Sequence, residues 1–235
     1  MRMIATMAFG RAGPWAKMMV SSLRRVCRLP LVFFSLDQTL PSIGEDHRIE
    51  LNMDRLWNSL HNRINRGLDD KAKSVMFGIL NRIFGCKELL FIDSDCLILG
   101  PIDDIWDTVG GICMGHETLG PYEIHLRRFG VTAVEKTFNA GVILFREDYA
   151  DAWAAWYEKL WPFVSSDPQH VDGQTVWNLV WHKTPWGGEL PQRFNQLHIK
   201  HGPYGAAIYH FSAVDINHKA EVMESCYKTL IGEMG

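Results

Sequence analysis

Asp93 and Asp95 stand one residue apart, separated by Ser94, directly after an unbroken apolar run, Leu89-Leu90-Phe91-Ile92. A run without polar alternation is the pattern of a strand buried on both faces of a parallel sheet. Carboxylates at its end lie where open α/β sheets place their ligands. On an extended backbone, residues two apart point to the same side, so both side chains are expected to meet one divalent ion. Such an ion acts as a Lewis acid toward a diphosphate leaving group. Oxygen ligands suit Mn2+ or Mg2+, and an added imidazole tilts the choice toward Mn2+. The competing reading is structural, since Asp is a frequent turn and capping residue.

The elements around this pair alternate between strand and helix. Met3 to Phe9 reads as a first strand, followed by a turn and a helix that Pro14 opens. That helix is expected to bury Met18, Met19, Ser22, Leu23 and Val26 before Leu31 to Phe34 forms a second buried strand. Asp54 to Asn65 is read as a partly amphipathic helix. Val75, Met76, Ile79, Leu80, Ile83 and Phe84 follow at helical spacing, with Gly85 as the stop. Gly110 to Met114 and Phe138 to Phe145 are further strands, and Tyr122 to Phe129 is a short outward helix. Trp153, Trp156, Tyr157, Leu160 and Trp161 form a helical stripe that reads as helix-to-sheet packing rather than as a sugar platform. Asp172 to Trp181 is a helix, Ile208 to Phe211 a last short strand and Asn217 to Ile231 a terminal helix. The order predicts an α/β fold with a mostly parallel twisted sheet flanked by helices, as one domain over residues 1–235.

Bulk properties narrow the partners. The 235 residues are 47% hydrophobic and carry a net charge of −3, enough for a real core and without the basic surface that a nucleic-acid backbone requires. No run approaches the roughly 18 apolar residues of a membrane span. Cys27, Cys86, Cys96, Cys113 and Cys226 are odd in number and scattered, which predicts free thiols in a reducing compartment. The apolar start, Ile4 to Gly10, is too short for a signal peptide, so a cytoplasmic location is expected.

Two known families share the acidic pattern. A haloacid-dehalogenase-type phosphotransferase would use Asp93 as nucleophile, but the fifth position of its motif is Leu97 here. The second is closer. Lys73-Ser74, Leu90 to Asp95, Leu97-Ile98-Leu99-Gly100-Pro101-Ile102-Asp103, Phe138-Asn139-Ala140-Gly141-Val142, Leu190 to Asn195 and Ile208-Tyr209-His210-Phe211 follow one another in order. The set resembles the family-eight, glycogenin-like retaining glycosyltransferases. Two blocks depart from that family's pattern. Gly173 and Thr175 flank Gln174 where the family has aspartates, and Lys219 lies three residues beyond the family's tail lysine. Trp15 is the aromatic nearest to where the family stacks the donor base.

The resemblance implies a glycosyltransferase-A-type fold and metal-dependent transfer of a sugar, a hexose from a UDP-sugar, to an acceptor of unknown class with retention. A silent nucleotide-sugar-binding module is the alternative suggested by the altered blocks. By resemblance, His210 joins Asp93 and Asp95 as metal ligand. Ala5, Thr6, Lys73, Ser94, Asn139, Ala140, Gly141 and Lys219 would complete the donor site. Gln174 would lie beside the anomeric carbon as polar stabiliser, because amides are poor nucleophiles. Asp172 is a base if the reaction inverts, and otherwise a helix N-cap.

Overall fold

The computed structural model describes residues 1–8, 12–35, 40–50, 68–117, 121–166 and 173–232. The helix expected over 54–65 lies outside them, as does Asp172. The first strand, β1 (Arg2–Ala8), pairs in parallel with β2 (Leu31–Ser35), which pairs in parallel with β3 (His47–Glu50). On its other side β1 pairs in parallel with β4 (Glu88–Ile92), the strand that leads to Asp93. Next to β4 runs the antiparallel β7 (Thr137–Arg146), then β6 (Ile112–Glu117) and β8 (Gly187–Leu190). The order β3-β2-β1-β4-β7-β6-β8 makes a mixed, mostly parallel sheet in which only β7 runs against the rest. A second sheet, β5 (Cys96–Ile98), β10 (Ile208–His210) and β9 (Gln196–Leu197), stands beyond the carboxyl end of β4.

Period-two alternation sorts the strand side chains between two cores. Leu90 and Ile92 face the layer that holds α1 (Gly13–Leu23) and the terminal helix, which is α6 (Lys219–Leu230). Leu89 and Phe91 face α2 (Leu68–Phe84), α4 (Glu147–Ser165) and α5 (Gly173–Lys183). The short α3 (Pro121–Arg128) packs against α5, and its Ile124 is exposed. Trp153, Tyr157 and Trp161 are buried as the stripe predicts, and Trp153 stacks on Trp177 with ring centroids 5.4 Å apart. β5, β8 and β9 were not predicted. All five cysteines are free. No helix among the described residues is long and apolar enough to cross a membrane.

One irregularity shapes the site. Across β6 and β7 the register jumps from Met114↔Ile143 to Gly115↔Asn139, so Ala140, Gly141 and Val142 have no partner on β6. β7 stays in register with β4 along this stretch, and Asp93 N donates to Gly141 O at 2.7 Å as the next rung of that ladder. Asn178 of α5, fully buried, stitches the strand beside the bulge. Its Oδ1 accepts from Phe138 N and its Nδ2 donates to Phe138 O, both at 2.7 Å. Leaving two buried backbone groups unpaired is costly, so Asn178→Ala is expected to lower the unfolding free energy by about 2–4 kcal/mol. Urea denaturation of the variant against the parent measures this.

Candidate active site

β4 ends at Ile92, one residue before the first aspartate. Asp93 leaves the strand and Ser94 and Asp95 form a turn, closed by Cys96 N donating to Asp93 O at 3.2 Å, before β5 begins. The two carboxylates thus converge because the chain turns. The extended-strand geometry expected for them is incorrect. The turn is needed because β5 belongs to the second sheet, where Cys96 pairs with His210 of β10. That pairing, with Phe211 N donating to Asp95 O at 3.0 Å, brings the histidine to the aspartates.

Each carboxylate has one oxygen taken by a lysine. Lys73, reaching from α2, places its ammonium 2.9 Å from Asp93 Oδ1 and donates to Ala140 O at 3.1 Å, over the Phe91 ring. Lys219, at the start of α6, donates to Asp95 Oδ2 at 2.5 Å and lies over the Trp15 ring. The remaining oxygens face His210. Its Nε2 is 3.2 Å from Asp95 Oδ1 and 3.9 Å from Asp93 Oδ2, is buried, and makes no hydrogen bond. Burial and the neighbouring Asp95 charge push the Asp93 carboxyl up against the pull of Lys73. Burial also opposes ionisation of Asp95, but His210 and Lys219 outweigh it and hold that carboxyl well below the usual range.

A divalent ion fits this arrangement on the chemistry of the donor set. Two carboxylate oxygens and an imidazole nitrogen with no other partner converge, which suits Mn2+ or Mg2+. Asp95, Cys96 and His210 also offer ligand atoms within 4.8 Å of one another, with the Cys96 thiol pushed far up by burial.

The other expected residues fall into two groups. Ser94, Asn139, Ala140 and Gly141 lie around the turn and the bulge. A Cβ on Gly141 would overlap the His210 ring, so the glycine is required for that ring to approach. Gln174 is the second residue of α5; its Oε1 accepts from Asn139 Nδ2 at 3.2 Å and its Nε2 donates to Glu117 Oε2 at 2.9 Å. Ala5 and Thr6 are fully buried inside β1, Ala5 within the apolar core and Thr6 with an unpartnered hydroxyl. Trp15 is buried beneath Lys219. Sequence reasoning missed Glu117, Asn195 and Lys200. Asn195 Oδ1 lies 3.0 Å from His210 Nδ1, and Lys200 donates to Glu117 Oε1 at 3.2 Å.

The fold recurs in solved structures. The chain has the glycosyltransferase-A fold. It matches the galactosyltransferase LgtC, solved with donor and acceptor sugar analogues, with a TM-score of 0.65 at 16% identity over 96% of each chain. Mouse xyloside xylosyltransferase 1 matches with a TM-score of 0.65 at 14% identity, covering 91% of this chain and 98% of that one. These neighbours are of the family-eight type that the sequence blocks resemble. The bifunctional glycosyltransferase WbbM matches at 0.67 and 11% identity, and this chain spans 46% of its length. No protein-family model and no curated protein matches the sequence.

The glycine contact generates a test of the site. Gly141→Ala is expected to displace the His210 ring and weaken Mn2+ binding by about 10-fold or more, the scale of lost metal-site support. Electron paramagnetic resonance of free Mn2+ reads the affinity, and circular dichroism checks that the fold persists.

Proposed function

We propose that this protein is a retaining glycosyltransferase of the family-eight type, transferring a hexose from a UDP-sugar with a divalent metal ion. The observation that carries the reading is the convergence of Asp93 Oδ2, Asp95 Oδ1 and the unpartnered His210 Nε2 at the carboxyl end of β4. The likeness to structures of sugar transferases supports it.

Charge balance points to the donor class. Lys73 and Lys219 offset the two aspartates, so a bound divalent ion leaves an excess of two positive charges. A nucleoside diphosphate brings the matching negative charge, which an uncharged sugar does not. When bound, the ion supplies Lewis-acid stabilisation of the departing diphosphate. The chain's own groups do the rest. Lys73 and Lys219 stand beside the aspartates as ammonium donors for phosphate oxygens. The bulge at Ala140 and Gly141 lets a sugar approach the backbone closely.

Gln174 faces the same bulge, and both ends of its amide are engaged, which suits a fixed dipole beside a developing positive centre. An active-site mutant of LgtC replaces a glutamine with glutamate. In this reading Gln174 has the role of polar stabiliser, and the acceptor proton passes to the leaving phosphate.

The protein is expected to be stabilised thermally by a UDP-sugar with Mn2+, and to hydrolyse the donor slowly without acceptor. Asp95→Asn is expected to cut metal-stimulated hydrolysis by at least about 100-fold, the scale of a lost transition-state contact, and to leave the circular dichroism spectrum unchanged. Near-parental turnover in that variant removes the metal reading, and donor binding without hydrolysis in the parent makes the protein a binding module.

A further inference from the structure

We infer that Asn195 is a positioning residue that fixes which nitrogen of His210 carries the proton, leaving Nε2 bare for a metal ion; the metal half of this inference rests on the function proposed above.

The derivation starts from a donor that cannot be reversed. Gly141 N–H points at one end of the Asn139 side-chain amide at 2.8 Å, and that end must be the oxygen. The Asn195 amide faces this same oxygen at 3.1 Å and the Asn139 carbonyl at 3.3 Å. Two acceptors require a donor between them, so this end of Asn195 is its NH2 group. Its other end is then an oxygen, 3.0 Å from His210 Nδ1. An oxygen accepts only, so Nδ1 bears a proton in either charge state of the ring, and when the ring is neutral Nε2 is the nitrogen left bare toward Asp93 and Asp95.

The far side of the network points the same way. Asn139 Nδ2 donates to Gln174 Oε1, which also receives Ala140 N at 3.5 Å, and Gln174 Nε2 donates to the carboxylate of Glu117. The hydrogen bonds run in one direction from the imidazole through three amides to a carboxylate. Packing holds the two key side chains in place. Asn195 is 2% exposed, and a Cβ on Gly115 would collide with it as one on Gly141 would collide with His210.

The test reads the ring directly. In 15N spectra of the metal-free parent protein, the neutral His210 ring is expected to show a protonated Nδ1 and a bare Nε2. Asn195→Leu removes the acceptor at similar volume, so the tautomer preference is expected to be lost and Mn2+ affinity to fall by about 10-fold or more. Asn195→Asp keeps an acceptor toward His210 while losing the donor to Asn139. It is expected to melt at a lower temperature yet retain the tautomer and most of the Mn2+ affinity. A neutral ring protonated at Nε2 in the parent overturns the inference, as does an unchanged tautomer or affinity in folded Asn195→Leu. Should Asn195→Leu fail to fold, loss of the tautomer in Asn195→Asp does the same. If the parent binds no Mn2+, the metal reading fails while the spectra still decide what Asn195 does to the ring.

Discussion

Two carboxylates held side by side in a largely dehydrated turn repel one another, and the local architecture can be understood as compensation for that repulsion. Unit charges about 4 Å apart interact by about 4 kcal/mol at the effective dielectric of a protein surface. Lys73 and Lys219 are each nearly buried, which a lysine tolerates only beside a partner. They approach from opposite layers, one from α2 and one from α6, so the turn is clamped by both helical faces of the sheet. The imidazole stands between the remaining oxygens, on a side of the turn that neither lysine occupies.

The β7 bulge is the second feature that shapes the site. A regular β7 would continue its ladder with β6. Three residues lack a partner on β6; among them Gly141 O accepts from the Asp93 amide, in register with the β4–β7 ladder, and Ala140 O accepts from the Lys73 ammonium. Asn178 supplies from α5 the hydrogen bonds that hold the strand where the bulge starts. The sequence marks the spot with small residues, Ala140 and Gly141, because a side chain at 141 would occupy the histidine's place.

Much of this was legible in the order of residue types. Leu89 to Ile92 announce a two-faced buried strand by their lack of alternation, and the α4 stripe announces its inward face by 3.6-residue spacing. Lys73, Asn139, Gly141 and His210 were reachable through ordered blocks. The turn at residues 93–95 was not, because two carboxylates converge equally well on an extended strand, and only the pairing of β5 with β10 separates the two cases. β9 and β8 are two and four residues long, too short for a periodic signal. Asn195 closes one of the ordered blocks, but its contact with His210 joins residues fifteen apart and is not visible in the block, and nothing local distinguishes Glu117 from other polar residues.

Lys219 reaches the aspartates although its spacing departs from the pattern this chain resembles. In the pattern this chain resembles, the tail lysine follows the histidine strand at a shorter interval. Here residues 212–218 form turns instead, with Val214 N donating to Phe211 O and His218 N to Asp215 O, and these absorb the added length. Lys219 then becomes the first residue of α6. Tyr227, two helical turns on, is buried in the core shared with α1, which holds the helix against the sheet. The ammonium reaches Asp95 because the helix is anchored by that apolar face, whatever the spacing before it. A motif written as fixed intervals records only one way of bringing a charge to a given place.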